Sequence, residues 1–310
     1  MGLHKISVLI VSYNTQDALD RCLGCVGDGY EVIVVDNASR DGSVEMIRER
    51  FPAVKLIANP DNVGFGSANN QAASAATGEL HLYLNSDAYA QPGAIDRLAA
   101  VFEDDSIVAA GGRLLNPDGS LQNSTANKLK LWAVLCEQLY LEKLFPRSSL
   151  MSPYWNTPTL VGYPSPADTA QVMGACLMVR ANLERFDERY FLYCEDTDLC
   201  LRLRRHGRIV YVKDASFVHD LGSSSAHDPV RGVIRYNWGK ELYFRIHEGR
   251  AASFLCLVLD RIGAVCRVIA WLAKSFGSGS DRSREMVRGF WRVVTAPYQD
   301  PTRSSRGTPG

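Results

Sequence analysis

The chain has 310 residues, 46% of them hydrophobic and 22% charged, with 13 Pro and 25 Gly. That composition excludes a disordered or fibrous chain and leaves room for one α/β domain of about 240 residues with a helical appendix. The net charge is zero, yet residues 245–310 carry 11 Lys or Arg against 5 Asp or Glu, so the remainder is acidic by the same margin. An acidic body argues against nucleic acid as a partner, and the basic end suits an anionic membrane surface.

The first half alternates apolar runs with helical segments. Runs at residues 6–11, 31–35, 54–58 and 80–84 read as strands, the pattern of a parallel, doubly wound sheet. Ligands gather at the carboxyl ends of such strands, and each of these four runs ends in a polar cluster. Residues 123–168 follow, with five prolines and weak periodicity, as a loop-rich insertion over the site. An extended apolar run spans 171–179, an acidic cluster at 195–198 opens a helix that Gly207 closes, and a strand at 208–212 leads to His219.

Residues 251–276 are apolar but interrupted by Asp260, Arg261 and Arg267, so neither half reaches the ~20 residues of a membrane span. An interfacial amphipathic helix and a helix packed on the main domain both fit. The expected division is a main domain at 1–247, a basic helical tail at 248–296 and a disordered end at 297–310. The eight cysteines are scattered, and no charged-then-apolar leader precedes the first strand, so a cytoplasmic protein with free thiols is expected. Cys22 and Cys25 form one CxxC inside a helix, with no second pair to complete a zinc site.

Ser12, Tyr13, Asn14 and Thr15 follow the first run, and Asp36 to Ser43 follow the second. Thr15 and Asp41 suit helix caps. Asp36 ends an all-apolar strand, where a carboxylate either caps or grips a ligand hydroxyl or ring nitrogen. The third cluster, 59–70, holds Asn62, Gly64, Gly66, Asn69 and Asn70. Its glycines let backbone approach a ligand, and its amides offer paired donors and acceptors for a base or phosphate. Asn69 stands where the dinucleotide fingerprint needs its third glycine, which excludes a hydride-transfer reading.

The fourth cluster, Asn85, Ser86 and Asp87, puts a carboxylate at the sheet rim, a ligand suited to Mg²⁺ or Mn²⁺ holding a diphosphate. Downstream, Glu195, Asp196 and Asp198 crowd a helix start. One or two acids would satisfy the helix dipole, which leaves at least one for acid–base work. His219, ahead of Gly222 and three serines, is either a metal ligand or a surface histidine.

In order and spacing, VSYN at 11–14, VVDNASRDGS at 34–43, NPDNVGFGSANN at 59–70, LNSD at 84–87 and FLYCEDTDLCLRLRRHG at 191–207 resemble the family 2 glycosyltransferases, and among them the bacterial rhamnosyltransferase-like group. The resemblance spans residues 5–247. It implies a GT-A fold, a Rossmann-like, mostly parallel central sheet flanked by helices, here with a C-terminal helical tail. It also implies a nucleotide-sugar donor, dTDP- or UDP-linked, lying over Ser12, Tyr13, Asn14, Asp36, Asn37, Asn62, Gly64, Asn69, Asn85 and Ser86. Asp87 and His219 would bind a divalent cation, Mg²⁺ or Mn²⁺.

Asp196 would be the general base of an inverting transfer, with Glu195 holding the acceptor or orienting that base. The fuller family pattern has two acids at the metal motif, and here the first is Asn85. Gly174, beside Met173, Ala175 and Cys176, would leave room for the donor sugar, with packing an equally good reading. The resemblance points to dTDP-rhamnose as donor, with a UDP-hexose as the alternative. The acceptor would be a glycan or a polyprenyl-diphosphate-linked saccharide in cell-surface polysaccharide synthesis, met by a protein peripheral on the inner face of the plasma membrane. Two other classes compete. A nucleotidyltransferase would carry a glycine-rich, Arg-containing loop where this chain has Ser12, Tyr13 and Asn14, and a non-catalytic nucleotide-binding module is opposed by the intact Asp87 and Asp196.

Overall fold

The computed structural model describes residues 4–220, 229–278 and 281–297. Gly222 with its following serines, and the expected disordered end beyond Pro297, lie outside the described residues. In chain order the elements begin β1 (Ile6–Ser12), α1 (Gln16–Val26), β2 (Glu31–Asp36), α2 (Ser43–Arg50), β3 (Lys55–Ala58), α3 (Phe65–Ala75), β4 (Leu80–Asn85), β5 (Ala88–Ala90), α4 (Ala94–Ala99) and β6 (Ile107–Leu115). They continue β7 (Thr125–Ala126), α5 (Leu131–Gln138), α6 (Leu141–Leu144), α7 (Thr157–Leu160), β8 (Ala167–Thr169), β9 (Gln171–Val172), β10 (Cys176–Arg180) and α8 (Glu195–Leu203). The last are β11 (Arg208–His219), α9 (Pro229–His247), α10 (Arg250–Ser278) and α11 (Asp281–Thr295).

Two compact units result. The first comprises Met1–Lys128, Trp155–Phe191 and Glu195–Ala226, and the second Leu129–Tyr154, Leu192–Cys194 and His227–Gly310.

The first unit is built on a nine-stranded sheet ordered β3-β2-β1-β4-β10-β6-β11-β5, with β8 paired to β11. β1, β2, β3, β4, β6 and β11 share one direction, while β10, β5 and β8 run against them. Side chains alternate across a strand, so Val8 and Ile10 join Val34, Leu82, Leu84 and Met178 on one face. Leu9 joins Ile33, Val35, Tyr83, Leu177 and Val179 on the other. Helices α1, α2 and α4 cover the first face through Leu19, Leu23, Ile47 and Leu98. Helices α3 and α8 cover the second through Ala68, Ala72, Leu199 and Leu203. Burial on both faces is why these strands read as near-continuous Val, Ile and Leu.

Strand register brings the polar clusters together. Ser12 pairs with Asp36, Asp36 with Ala58, and Val11 with Asn85. All four therefore end at one sheet edge, where the order turns from β2 through β1 to β4.

Two elements differ from the sequence reading. The expected continuous run 171–179 breaks into β9, which pairs with β7, and β10, which enters the main sheet. The turn between them holds Gly174, whose N–H is drawn to Asp196. Strand β11 runs past 212 to His219 through an irregularity between Val212 and Ser216, and pairs His219 with Ala88.

The second unit is helical. α5 and α6 form within residues expected to be loop-rich and join α9, α10 and α11. Ala264, Val268, Phe290 and Val293 make its apolar centre. Among the described residues no helix is long and apolar enough to cross a membrane. All eight cysteines are free thiols, and CxxC carries no bridge.

Candidate active site

The edge of the sheet is organised by hydrogen bonds from strand ends. Asn14 and Ala38 adopt left-handed backbone, with φ of 53° and 69°. That geometry lets Asn14 Oδ1 accept from Arg40 N at 2.7 Å while Asn14 N donates to Ser39 Oγ at 2.9 Å, locking the loops after β1 and β2 together. Asp41 ties the starts of two helices: Oδ2 accepts from Gln16 N at 2.8 Å and Oδ1 from Ser43 N at 3.1 Å. Burial would raise its pKa, but these hydrogen bonds outweigh that and hold it below the usual carboxylate range. Thr15 makes no side-chain cap and instead joins Ser12 Oγ to Ser86 Oγ, at 3.1 and 3.0 Å.

Asp36 is 1% exposed. Its Oδ1 accepts from Ser39 N at 2.9 Å, and its Oδ2 is buried with no partner in the chain. A buried carboxylate oxygen without a donor is costly, and a ligand hydroxyl or ring N–H would relieve it.

Asn37 is a hub rather than an open amide. Its Oδ1 accepts from Asn59 Nδ2 and Val63 N, each at 3.1 Å, and its Nδ2 donates to Asn62 Oδ1 at 3.0 Å. Asn62 Oδ1 also accepts from Gly64 N at 3.0 Å. Gly64 has φ +90°, and a Cβ there would stand 2.8 Å from Phe191 O, so only glycine fits. The close approach it permits is therefore to Phe191, whose carbonyl accepts from Phe65 N at 2.9 Å. Asn69 is buried on α3 and donates to Phe65 O at 3.0 Å, whereas Tyr13 is largely exposed.

At the end of β4, Asp87 and His219 are both nearly buried, with His219 Nε2 3.3 Å from Asp87 Oδ1 and 3.3 Å from Asn85 Nδ2. The ring's other nitrogen, Nδ1, faces Gln122 Oε1 at 2.7 Å. Gln122 Nε2 is fixed as the donor because two acceptors face it, His219 O at 3.2 Å and Asn116 Oδ1 at 2.9 Å. Gln122 Oε1 then accepts from Nδ1–H, so that in the neutral ring Nε2 is the unprotonated nitrogen on the side of Asp87. Two such electron-rich atoms side by side fit a cation between them and donor oxygens. Among the described residues no group of three or more His, Cys, Asp and Glu gathers, so a cation held here would draw no more than this pair from such side chains. Gln122 escaped the sequence reading because it sits in the weakly patterned segment after β6.

The acids of α8 separate by partner. Asp198 is 1% exposed and gripped by Arg202, with Nη2 at 2.7 Å and Nε at 2.9 Å, so it is structural. Asp196 accepts from Gly174 N at 2.8 Å and Thr197 N at 2.7 Å. Burial raises its pKa despite those donors, leaving a more basic carboxylate. Glu195 is buried, its Oε2 has no partner, and burial followed by the neighbouring Asp196 charge pushes it up to about 8. Gly174 packs against Asp196 directly, a Cβ there meeting Asp196 Cβ at 3.3 Å. The next residue, Ala175, accepts from Asn85 N at 3.1 Å, which ties the Asp196 turn to the strand end bearing Asp87.

A family model described as Glycosyl transferase family 2 matches residues 7–164, just over half of the chain. The N-acetylglucosaminyl-diphospho-decaprenol L-rhamnosyltransferase of Mycobacterium tuberculosis is 29% identical over 261 residues, covering 75% of this chain and 81% of its own. Two solved structures share the fold. The mannosyltransferase PcManGT of Pyrobaculum calidifontis, in complex with GDP-Man and Mn²⁺, gives a TM-score of 0.55 at 15% identity over 95% of this chain and 86% of its own. GalNAc-T7, with UDP, GalNAc and Mn²⁺, gives 0.54 at 14% identity over 94% of this chain and 56% of its own.

Proposed function

The chain belongs to glycosyl transferase family 2, in its bacterial rhamnosyltransferase-like group and with the GT-A fold, and from that premise we propose that it moves L-rhamnose from dTDP-rhamnose to a saccharide hydroxyl on a polyprenyl diphosphate. The observation supporting this reading is the run of contacts from Asp196 through Gly174 and Ala175 to Asn85, which links a raised-pKa carboxylate to the strand end followed by Asp87. The relative that acts on decaprenyl-diphospho-N-acetylglucosamine supports both the sugar and the lipid carrier.

Asp36 Oδ2 binds the nucleoside, and the Ser12, Thr15 and Ser86 hydroxyls line the floor under the diphosphate. Asp87 and His219 would hold a divalent cation, Mg²⁺ or Mn²⁺, whose positive charge would stabilise the leaving nucleoside diphosphate. The Mn²⁺ in both structural neighbours supports that choice.

Asp196 takes the acceptor hydroxyl's proton as that oxygen forms its bond to the anomeric carbon, opposite the breaking bond to the diphosphate, so the configuration inverts. The Gly174 and Thr197 amides hold the carboxylate in place for this. Glu195, protonated at neutral pH, turns an O–H toward the acceptor sugar rather than competing for its proton. The protein works at the cytoplasmic face of the membrane, where a lipid-carried acceptor is presented.

The test is nucleoside diphosphate release from a panel of nucleotide sugars with purified protein, with and without a lipid-linked acceptor and a chelator. Release from dTDP-rhamnose, lost in Asp87→Ala and in Asp196→Asn, is the expected result. Preference for a UDP-hexose would refute the donor, and acceptor-dependent release undiminished in Asp196→Asn would refute the base.

A further inference from the structure

Helix α10 is amphipathic in the inverted sense. Its polar residues face the interior of the helical unit: Ser253 and Asp260 are buried, Asp260 accepts from Lys240 Nζ at 2.7 Å and from Gln138 Nε2 at 2.8 Å, and Arg267 donates to Gln138 Oε1 at 2.7 Å. Arg261 is turned to Ala296 O at 2.9 Å. Between residues 251 and 273 every exposed residue is apolar: Phe254, Leu255, Ile262, Val265, Cys266, Ile269 and Leu272, together with Ala251, Ala270 and Ala273. From Phe254 to Leu272 this stripe runs roughly 27 Å along the helix.

The apolar exposure is a property of the whole unit. Among the described residues, thirteen of the seventeen exposed large hydrophobics belong to it, including Trp132, Leu144, Phe145, Leu150 and Trp291 outside α10. A partner that met α10 alone would leave those uncovered. Exposed cations bracket and follow the stripe: Arg250 at its start, Lys274 at its end, and Arg282, Arg284, Arg288 and Arg292 on α11, against exposed Glu248, Asp281 and Glu285. An apolar face combined with Trp and a surplus of cations is the composition of a surface lying in the headgroup and acyl boundary of an anionic bilayer.

We propose that the outward face of α10 is a membrane-docking surface whose occupant is an anionic lipid bilayer, with α11 supplying the cations for its headgroups. This deepens, and rests on, the reading of a lipid-carried acceptor. The helix lies in the boundary and does not span it.

The experiment measures binding of the full chain to vesicles of phosphatidylcholine, with and without phosphatidylglycerol, for wild type and an Ile262→Ser/Ile269→Ser double variant. Both positions are exposed, so the fold is not at stake, which a thermal melt checks. Expected is binding that phosphatidylglycerol strengthens and the double variant weakens by roughly tenfold or more, since each inserted Ile contributes on that scale. An environment-sensitive dye on Cys266, in a Cys25→Ser background that removes the other exposed thiol, should shift to the blue on binding. Acceptor-free hydrolysis of nucleotide sugar should be equal in the two proteins.

Vesicle binding that the double variant leaves intact would overturn the proposal. So would a wild type that ignores vesicles and elutes as a dimer that the double variant breaks, which would assign the face to a second copy of this chain. Vesicle binding lost in the double variant, in a protein that hydrolyses no nucleotide sugar and transfers no sugar to lipid-linked acceptor, would sink the transferase reading while upholding the surface.

Discussion

Replacing Gln122 by Leu isolates the control exerted on His219. The variant loses hydrogen bonds to His219 Nδ1, His219 O and Asn116 Oδ1, at 2.7, 3.2 and 2.9 Å, the first two with little solvent to replace them. At about 1 kcal/mol net each, the fold weakens by about 2–3 kcal/mol, enough to lower Tm by several degrees without unfolding the protein. The more specific effect is on the ring. Without Gln122 Oε1 the imidazole is free to place its proton on Nε2, the nitrogen facing Asp87, and each molecule that does so has lost a cation ligand. Removing such a supporting hydrogen bond lowers metal affinity by roughly 10- to 100-fold. The assay is calorimetric titration of Mn²⁺ into protein saturated with nucleoside diphosphate, beside His219→Ala. Mn²⁺ affinity equal to wild type in Gln122→Leu, with affinity lost in His219→Ala, would refute the argument that Gln122 sets the tautomer.

Asp196→Asn should lower kcat by about 10²-fold or more with donor affinity kept, whereas Asp198→Asn, which leaves Arg202 without its bidentate partner, should cost about 3 kcal/mol of stability instead. Steady-state kinetics beside urea unfolding separates the two, and a reversal of these effects would exchange their roles. Glu195 ionises near 8 when folded and near its ordinary 4.5 when unfolded, so its contribution is whole below about pH 4.5 and is lost as pH rises through about 8. Glu195→Gln should therefore gain on wild type by a few kcal/mol across that window, and parallel pH profiles of the two urea midpoints would contradict the buried, protonated state. Gly64→Ala forces a side chain into left-handed backbone and against Phe191 O, so a loss of roughly 1–2 kcal/mol and weaker nucleotide binding are expected in melts and titrations.

The sheet was legible because burial on both faces leaves only apolar residues, and the site clusters were legible because polar residues at strand ends interrupt that run. What the sequence hid were relations between distant segments. Gln122 meets His219 across 97 positions, and no local pattern marks it. Gly174 reads in the sequence as space for a sugar or as packing, and its amide also anchors Asp196, which lies 22 positions on. Asn37 and Gly64, expected to meet a ligand, also hold the loop before α3 through their hydrogen bonds, which no local pattern marks. The three acids at 195–198 became distinguishable only when partners were visible: a guanidinium for Asp198, two amides for Asp196, none for one oxygen of Glu195.

The tail shows the same limit in its sharpest form. Asp260, Arg261 and Arg267 punctuate the apolar sequence, and punctuation by charge ordinarily marks the solvent side of a helix. Here Asp260 and Lys240 are both fully buried, and Lys240 also reaches Glu137 Oε2 at 3.2 Å. Burial alone would lower the Lys240 pKa, but Glu137 and Asp260 outweigh it, and the ammonium is held well above its ordinary range. Such a buried pair contributes little net stability compared with an apolar packing, because desolvation offsets the attraction. Its effect is to fix which face of α10 turns inward, since rotating the helix would strand Lys240 without its partner, at a cost of about 3–5 kcal/mol. The apolar stripe is therefore held outward by the polar contacts on the opposite face, and a surface maintained against the hydrophobic effect in this way calls for an apolar phase to receive it.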